Sequence, residues 1–335
     1  MKAGAAAIAA LVGLTALLTL PAGSVRAMES GPEPVVVAVA LPGNQDFWRQ
    51  CQQAMLDYAR TANLELRLVV SNDDQMKQNA QVRQLLAGSP DVLILAAHDA
   101  LGAAAAVKMA RGAKIKVLAL DRLTLNADLD LYLAFDHELA GERQAEALLS
   151  LAPQGPYVIL SGPPNDYSAY LSLKGAMKVL GPLIESGRIQ VLADGPILGG
   201  RTEQTRHLIS RLLARGLRPA AVLAPDDAAA DGAILALREA GLAGRVPVAG
   251  QNGEPAAVRL LKTGEQGLTL VKDPVVLAGR ALDLAVRLTR NEDAEAAVSI
   301  DNGFKDVPAV LLTAPEVDRR NLETALKEGL LRPDN

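Results

Sequence analysis

Cysteine is nearly absent from this chain of 335 residues, and Cys51 is its single cysteine. One thiol excludes an internal disulfide and any cluster of cysteine ligands around a metal ion. The three histidines, His98, His137 and His207, lie far apart and do not have the spacing of a metal site. We therefore expect no metal and no cofactor.

The chain also lacks a basic run, since 34 lysines and arginines are spread among 38 aspartates and glutamates. Binding to nucleic acid requires a concentrated positive surface, so we expect no nucleic-acid partner. Three enzyme motifs are missing as well: the G-x-S-x-G elbow, the G-x-x-x-x-G-K-[ST] loop and a G-x-G-x-x-G loop after the first strand. We therefore expect no enzymatic activity and assign no catalytic residue.

No apolar run reaches the roughly 20 residues that a membrane-spanning helix needs. The longest such run, Ala5 to Leu20, follows Lys2 and precedes the sequence Ser-Val-Arg-Ala at residues 24–27. This pattern is typical of a secretory signal peptide cleaved after Ala27. No cysteine follows it that could carry a lipid anchor. We expect residues 1–27 to be removed and the mature chain to act in the periplasm as a monomer.

Short apolar runs and longer amphipathic stretches alternate through the rest of the chain. Val35 to Leu41, Leu64 to Val70 and Leu131 to Phe135 are near-continuous apolar runs with helical patterns between or after them. Such runs are typical of parallel strands that are covered by helices on both faces. The pattern restarts after Phe135, so the sequence predicts an α/β protein with two doubly wound, Rossmann-like lobes and a ligand cleft between them.

Polar and aromatic side chains gather where the predicted strands end. In a doubly wound sheet, ligands bind outside these carboxyl ends. The stretches are PGNQDFW at 42–48, Asp121-Arg122, Asp136-His137, PDD at 225–227, Gln251-Asn252 and Lys272-Asp273.

Each of these groups also has an ordinary structural explanation. Asp121 or Asp227 can cap the next helix, Phe47 and Trp48 can be core residues, and Lys272 can be a solvated lysine. Helix caps alone, however, do not require an aromatic pair, an arginine, a lysine and amides at successive strand ends. Together these types suit a sugar, whose hydroxyls donate and accept hydrogen bonds and whose C–H face packs on an aromatic ring. Only 3% of the chain is aromatic, which makes the pair in one loop informative.

Several stretches resemble the periplasmic sugar-binding proteins of the ribose and xylose type, and most of all the xylose-binding branch that serves ABC importers. These stretches are VLALDRLTLNADLDLYLAFD at 117–136, GAMKVLGPLIESGRIQVLAD at 175–194, DDAAADGAILAL at 226–237, VAGQN at 248–252 and NGFKDVPAVLLTAPEVD at 302–318.

The resemblance implies a type I periplasmic binding protein fold with three chain crossings between lobes. The expected N-terminal lobe is 34–135 with about 273–300, and the expected C-terminal lobe is 136–272 with about 301–330. The resemblance also implies a monosaccharide ligand, a xylose-like aldose, and a membrane permease as partner. Matching positions place ligand contacts on Asp121, Arg122, Asp136, Asp227, Asn252 and Lys272, with Phe47 and Trp48 placed similarly.

Some positions depart from the family pattern. The first loop carries Gln45, Phe47 and Trp48 in place of charged side chains, and Tyr167 and Ser168 stand where the family has amides. We therefore include Tyr167 among the site residues and expect a sugar other than D-xylose to bind best. A sensory subunit for a chemoreceptor or sensor kinase is the alternative function. A sugar-responsive repressor is disfavoured, because no basic headpiece precedes Val35.

Overall fold

Two mostly parallel β-sheets form the frame of the protein in the computed structural model, which describes residues 34–198 and 201–332. The predicted signal peptide at 1–27 lies outside these described residues. The strands are β1 Val35–Leu41, β2 Leu64–Val70, β3 Val92–Leu95, β4 Lys116–Leu120, β5 Leu131–Phe135, β6 Gly155–Ser161, β7 Ile189–Pro196, β8 Ala221–Leu223, β9 Val248–Asn252, β10 Leu268–Val271, β11 Val298–Asp301, β12 Asp306–Leu312 and β13 Glu316–Asp318.

Helices connect most of these strands. They are α1 Asp46–Thr61, α2 Gln75–Ala87, α3 Ala104–Gly112, α4 His137–Leu151, α5 Tyr167–Glu185, α6 Arg201–Ala214, α7 Asp227–Glu239, α8 Pro255–Thr263, α9 Pro274–Thr289 and α10 Leu322–Lys327. Short polar side chains begin several of them by accepting a hydrogen bond from the first turn. Asp74, for example, accepts from the backbone N–H of Lys77 at 2.9 Å ahead of α2.

The first sheet has the strand order β11-β12-β5-β4-β3-β1-β2, and the second has the order β13-β10-β9-β8-β6-β7. Among the strands of the described residues, only the edge strands β11 and β13 are antiparallel to their neighbours. The central strands are buried on both faces, which explains their continuous Val, Leu, Ile and Ala runs. The predicted fold class, two doubly wound α/β halves, is confirmed.

Two helices of the second half cross at unusually close range. A Cβ on Gly141 of α4 would lie 1.9 Å from the carbonyl oxygen of Ser172, and a Cβ on Gly175 of α5 would lie 1.9 Å from that of Glu138. Only glycine permits this approach of the two backbones. The crossing fixes the start of α4, which lies next to the site described below.

The chain passes between the sheets three times. It leaves the first sheet after β5, and α4 then packs on β8, β9 and β10. It leaves the second sheet after β10, and α9 packs on α1 and the first sheet. The last passage differs from the expected position near 300–302. β11 and β12 form an antiparallel hairpin whose second strand hydrogen-bonds to β5, so the chain reaches the second sheet only at β13.

Candidate functional site

A cavity of about 100 Å³ lies where the carboxyl ends of the strands of both sheets face each other. Its walls come from the segments that follow β1, β4, β6, β8, β9 and β10, together with the starts of α4 and α6. Six of the nine predicted site residues line it: Phe47, Trp48, Asp121, Arg122, Asn252 and Lys272.

Aromatic rings form one wall of the cavity. Phe47 and Trp48 begin α1, and their rings meet edge to face with centroids 5.1 Å apart. The guanidinium carbon of Arg122 lies 5.6 Å from the centre of the Trp48 ring, within range of a cation–π contact. Trp48 is only 3% exposed, so its ring is shielded from bulk water. This wall can cover the apolar face of a small ring.

Trp48 is the only tryptophan, so its fluorescence reports on this wall alone. We expect the mature protein to change emission intensity or wavelength when a sugar enters the cavity, because the ligand changes the contacts and the local polarity around the shielded ring. A fluorescence titration measures the Trp48 emission as sugar is added, with a non-binding sugar as control. Calorimetric binding without any change in emission would place the ligand away from Trp48.

Three buried side chains, Lys272, His137 and Asp121, form the floor of the cavity and connect the two sheets. Lys272 follows β10 in the second sheet, Asp121 follows β4 in the first, and His137 lies between them at the start of α4. The ammonium nitrogen of Lys272 is 3.1 Å from His137 Nδ1. His137 Nε2 is 3.2 Å from both the carbonyl oxygen and Oδ1 of Asp121. Because an ammonium group only donates, Nδ1 accepts, and the imidazole proton resides on Nε2 and faces Asp121.

The protonation of this floor follows from its surroundings. Burial by itself raises the pKa of Asp121, but His137, Lys272 and Arg122 outweigh burial and hold the pKa below its ordinary value. Burial lowers the pKa of Lys272, while the negative charges of Asp121 and Asp166 oppose that effect. Oδ1 of Asp121 is buried against His137 Nε2. The floor therefore brings a carboxylate, which accepts hydrogen bonds, and an ammonium group, which donates them, to the cavity lining.

The second sheet supplies the opposite wall. Asp226 follows β8, accepts from the backbone N–H of Ala229 at 2.9 Å and pairs with Arg201. Asn252 ends β9 with a left-handed φ of 99° and donates its amide to Glu254 at 3.3 Å. Burial raises the pKa of Glu254.

Direct contacts join the two walls. Arg122 Nε, from the first sheet, lies 3.0 Å from Asp166 Oδ2 at the start of α5 in the second half. The backbone N–H of Ala100 donates to the carbonyl oxygen of Asn165 at 3.0 Å. These contacts place the two strand-end surfaces face to face across the cavity.

Two predicted residues, Asp136 and Tyr167, lie outside the cavity. Asp136 caps α4 by accepting from the backbone N–H of Leu139 at 2.9 Å. The Tyr167 ring stacks on Tyr170 with centroids 5.3 Å apart. Both line a separate cavity of about 590 Å³ beside β11 and β12. The structure therefore places both residues beside the second cavity and not at the first, and their contact with a ligand stays a prediction.

Asp227 also lies outside the cavity, fully buried behind its second wall. Its carboxylate accepts from the backbone N–H groups of Gly253 and Glu254 at 2.8 and 2.9 Å. It also accepts from Gln266 Nε2 at 2.7 Å and from Thr269 Oγ1 at 2.8 Å. This network holds the turn after β9. Asp227 thus has a structural role in this network, its predicted contact with the ligand stays a prediction, and the neighbouring Asp226 lines the cavity.

The buried Asp227 makes the stability depend on pH. Burial raises its pKa to about 7 from 3.8, and the charge of Glu254 acts in the same direction, against the hydrogen bonds. The folded chain therefore holds a proton that the unfolded chain releases between roughly pH 4 and pH 7. The stability that this proton provides is fully present below the pKa of Asp227 in the unfolded chain. It is lost as the pH rises through the pKa of Asp227 in the folded chain.

We expect the wild type to gain about 2 kcal/mol of unfolding free energy from pH 8 to pH 5.5 relative to Asp227→Asn, which cannot ionise. Urea unfolding of both proteins at the two pH values measures this difference in unfolding free energy. Equal pH dependence of the two proteins would contradict the assignment.

The sequence interpretation missed several residues that line the cavity. His137, Asp226 and Gln251 stood within the recognised strand-end stretches, and testing each neighbour of a predicted residue would have found them. Gln144 and Arg201 lie on helices α4 and α6, where no local pattern marks them. The described residues contain no group of three or more His, Cys, Asp or Glu arranged to hold a metal ion. In the same ranges no helix is long and apolar enough to cross a membrane.

Comparison with known proteins agrees with this architecture. The model of the periplasmic binding protein domain matches residues 35–293. The D-xylose-binding periplasmic protein of Haemophilus influenzae is 37% identical over 284 residues, covering 84% of this chain and 86% of that protein. The multiple sugar-binding periplasmic receptor of Rhizobium radiobacter is 30% identical, and the alignment covers 95% of this chain and 97% of that protein.

A solved structure shares the fold. The carbohydrate transporter solute-binding protein of Chloroflexus aurantiacus, in complex with D-glucose, superposes with a TM-score of 0.79 at 27% identity, covering 88% of this chain and 96% of that one. A family model that covers most of the described chain, together with relatives of this identity, agrees with the two sheets and the cavity at their strand ends. The chain therefore belongs to the periplasmic binding protein domain family.

Proposed function

We propose that this protein binds one monosaccharide in the periplasm and delivers it to the permease of an ABC importer. The observation that carries the proposal is the cavity, where an aromatic wall faces buried hydrogen-bonding groups from both sheets. Asp121 supplies an acceptor, Lys272 and Arg122 supply donors, and Asn252 supplies an amide. Sugar hydroxyls need both kinds of partner, and a ring C–H face suits the Phe47 and Trp48 pair.

The two halves are proposed to act as lobes that close on the sugar. The passages after β5, after β10 and between β12 and β13 are the hinges. Closure brings together contacts such as Arg122 with Asp166, so a ligand held by both walls favours the closed state. The permease then distinguishes the closed protein from the open one.

The relatives support the proposed location and partner. Those named above are periplasmic sugar-binding proteins, and the Chloroflexus protein serves a carbohydrate transporter. The signal peptide at 1–27 is proposed to export the chain, which acts as a monomer and performs no chemistry on its sugar.

A thermal-shift screen of the mature chain tests the proposal. Its probes are D-xylose, D-ribose, L-arabinose, D-glucose, D-galactose, D-fucose and myo-inositol. A ligand that binds only the folded state raises the melting temperature. We expect at least one sugar to raise the melting temperature and to bind one-to-one in calorimetry. The sugar recovered from the complex should be chemically unchanged. Failure of every sugar would overturn the proposal. Calorimetric ranking also tests the expectation that D-xylose is not the tightest ligand.

A further inference from the structure

Two buried glutamines form a pair behind the floor of the cavity. Gln251, at the end of β9, is 1% exposed and lines the cavity, as does Gln144 of α4. Gln251 Nε2 donates to Gln144 Oε1 at 2.7 Å. Gln144 Nε2 in turn donates to the carbonyl oxygens of Ala224 at 2.8 Å and Gly250 at 3.2 Å.

These bonds fix the orientation of both amides. Backbone carbonyl oxygens only accept hydrogen bonds, so the NH₂ group of Gln144 must face Ala224 and Gly250. Its Oε1 then faces Gln251, whose own NH₂ group must point toward it. Exchanging the oxygen and nitrogen of either amide would bring two acceptors or two donors together. Gln144 thereby engages the NH₂ group of Gln251, and the Oε1 atom of Gln251 is the acceptor that remains.

That oxygen has no hydrogen-bond partner within the described residues. A buried acceptor without a partner is unfavourable, and a cavity-lining one is satisfied when something in the cavity donates to it. Gln251 lies between Asp226 and Lys272 in the ring of lining residues, on the second-sheet side. A group that enters the cavity there must supply a hydrogen to Oε1.

We propose that Gln251 is a specificity-determining residue that accepts a hydrogen bond from one hydroxyl of the bound sugar. The inference rests on the proposed function and refines it. Since Gln144 holds the NH₂ group of Gln251, the amide cannot exchange its oxygen and nitrogen, and Oε1 takes a hydrogen-bond donor. It therefore rejects a sugar derivative that carries fluorine, hydrogen or an O-methyl group in place of that hydroxyl.

The test uses the mature chain and the tightest sugar of the screen above, with its series of monodeoxyfluoro analogues. Calorimetry gives the ratio of dissociation constants between each analogue and the parent sugar, for wild type and for Gln251→Met. Methionine keeps the length of the side chain and removes the amide oxygen. We expect one position of the sugar where fluorine costs wild type tenfold or more and costs Gln251→Met less than threefold, while the ratios at other positions stay the same.

Two further variants separate specificity from folding. Gln266→Met is the matched control, because Gln266 is equally buried and also has an unpartnered Oε1, but it does not line the cavity. Its ratios should equal those of wild type. Gln144→Met frees the Gln251 amide to rotate and should lower the same ratio several-fold, which keeps the test valid if Gln251→Met folds poorly.

The outcomes distinguish this inference from the proposed function. Sugar binding in which Gln251→Met and Gln144→Met keep every wild-type ratio overturns the inference alone. A loss of discrimination at all positions together, or the same loss in Gln266→Met, also overturns it, because the effect is then structural. If no sugar of the screen binds to wild type, the proposed function fails and the inference fails with it.

Discussion

Asp227→Ala is expected to lower the free energy of unfolding by about 3–5 kcal/mol and to weaken sugar binding less than about tenfold. The carboxylate is fully buried and serves two backbone N–H groups, the Gln266 amide and the Thr269 hydroxyl. Alanine removes the acceptor shared by these four donors, and only Gln266 and Gly253 keep a second acceptor, in the Leu268 carbonyl oxygen and the Thr269 hydroxyl. The carboxylate does not line the cavity, so the sugar loses no direct partner.

The adjacent aspartate provides a matched comparison. Asp226→Ala removes a helix cap worth about 1 kcal/mol, but it also removes a cavity-lining carboxylate and the partner of Arg201. We expect Asp226→Ala to lose less stability and more sugar affinity than Asp227→Ala. Urea unfolding of the apo proteins and calorimetry with the tightest sugar of the screen measure both quantities. Loss of affinity in Asp227→Ala beyond that of Asp226→Ala would contradict the placement of the two side chains.

Asp226 and Asp227 also show which features of the site the sequence predicts and which it does not. The PDD stretch at 225–227 was recognised as following a strand end, and β8 does end just before it, at Leu223. Nothing in the sequence, however, tells which of two consecutive aspartates turns inward. That depends on how α7 begins and on the donors that Gln266 and Thr269 bring from β10 and the turn before it, far away along the chain.

A similar reason explains the other differences. Asp136 and Tyr167 each stand at the first turn of a helix, where a rotation of about 100° per residue decides which side of the crossing a side chain faces. Phe47, Trp48, Asp121, Arg122 and Lys272 line the cavity, because they follow central parallel strands whose ends must converge. Gln144 reaches the cavity from the middle of α4, and only the packing of α4 on β8 to β10 reveals it.

Lys272→Met is expected to have the largest effect on affinity, since it removes a charged donor from the cavity floor. The Lys272 side chain is 7% exposed, and its ammonium contacts His137, which links it to Asp121. A hydrogen bond from a buried charged group to a sugar hydroxyl contributes about 2–3 kcal/mol, so binding should weaken roughly 30- to 150-fold. Stability should change little or increase, because the buried ammonium itself costs desolvation energy.

A lysine outside the site serves as the control for this change. Lys174 on α5 is largely exposed, pairs with Glu138 and does not line the cavity, so Lys174→Met should leave affinity unchanged. Calorimetry at pH 7 with the tightest sugar of the screen compares the two variants with wild type. The Lys272→Met protein should also keep the Trp48 response at saturating sugar, because the aromatic wall is intact. Affinity within threefold of wild type would mean that the ammonium only bridges His137 and Asp121, and that the donors to the sugar come from Arg122 and Asn252 instead.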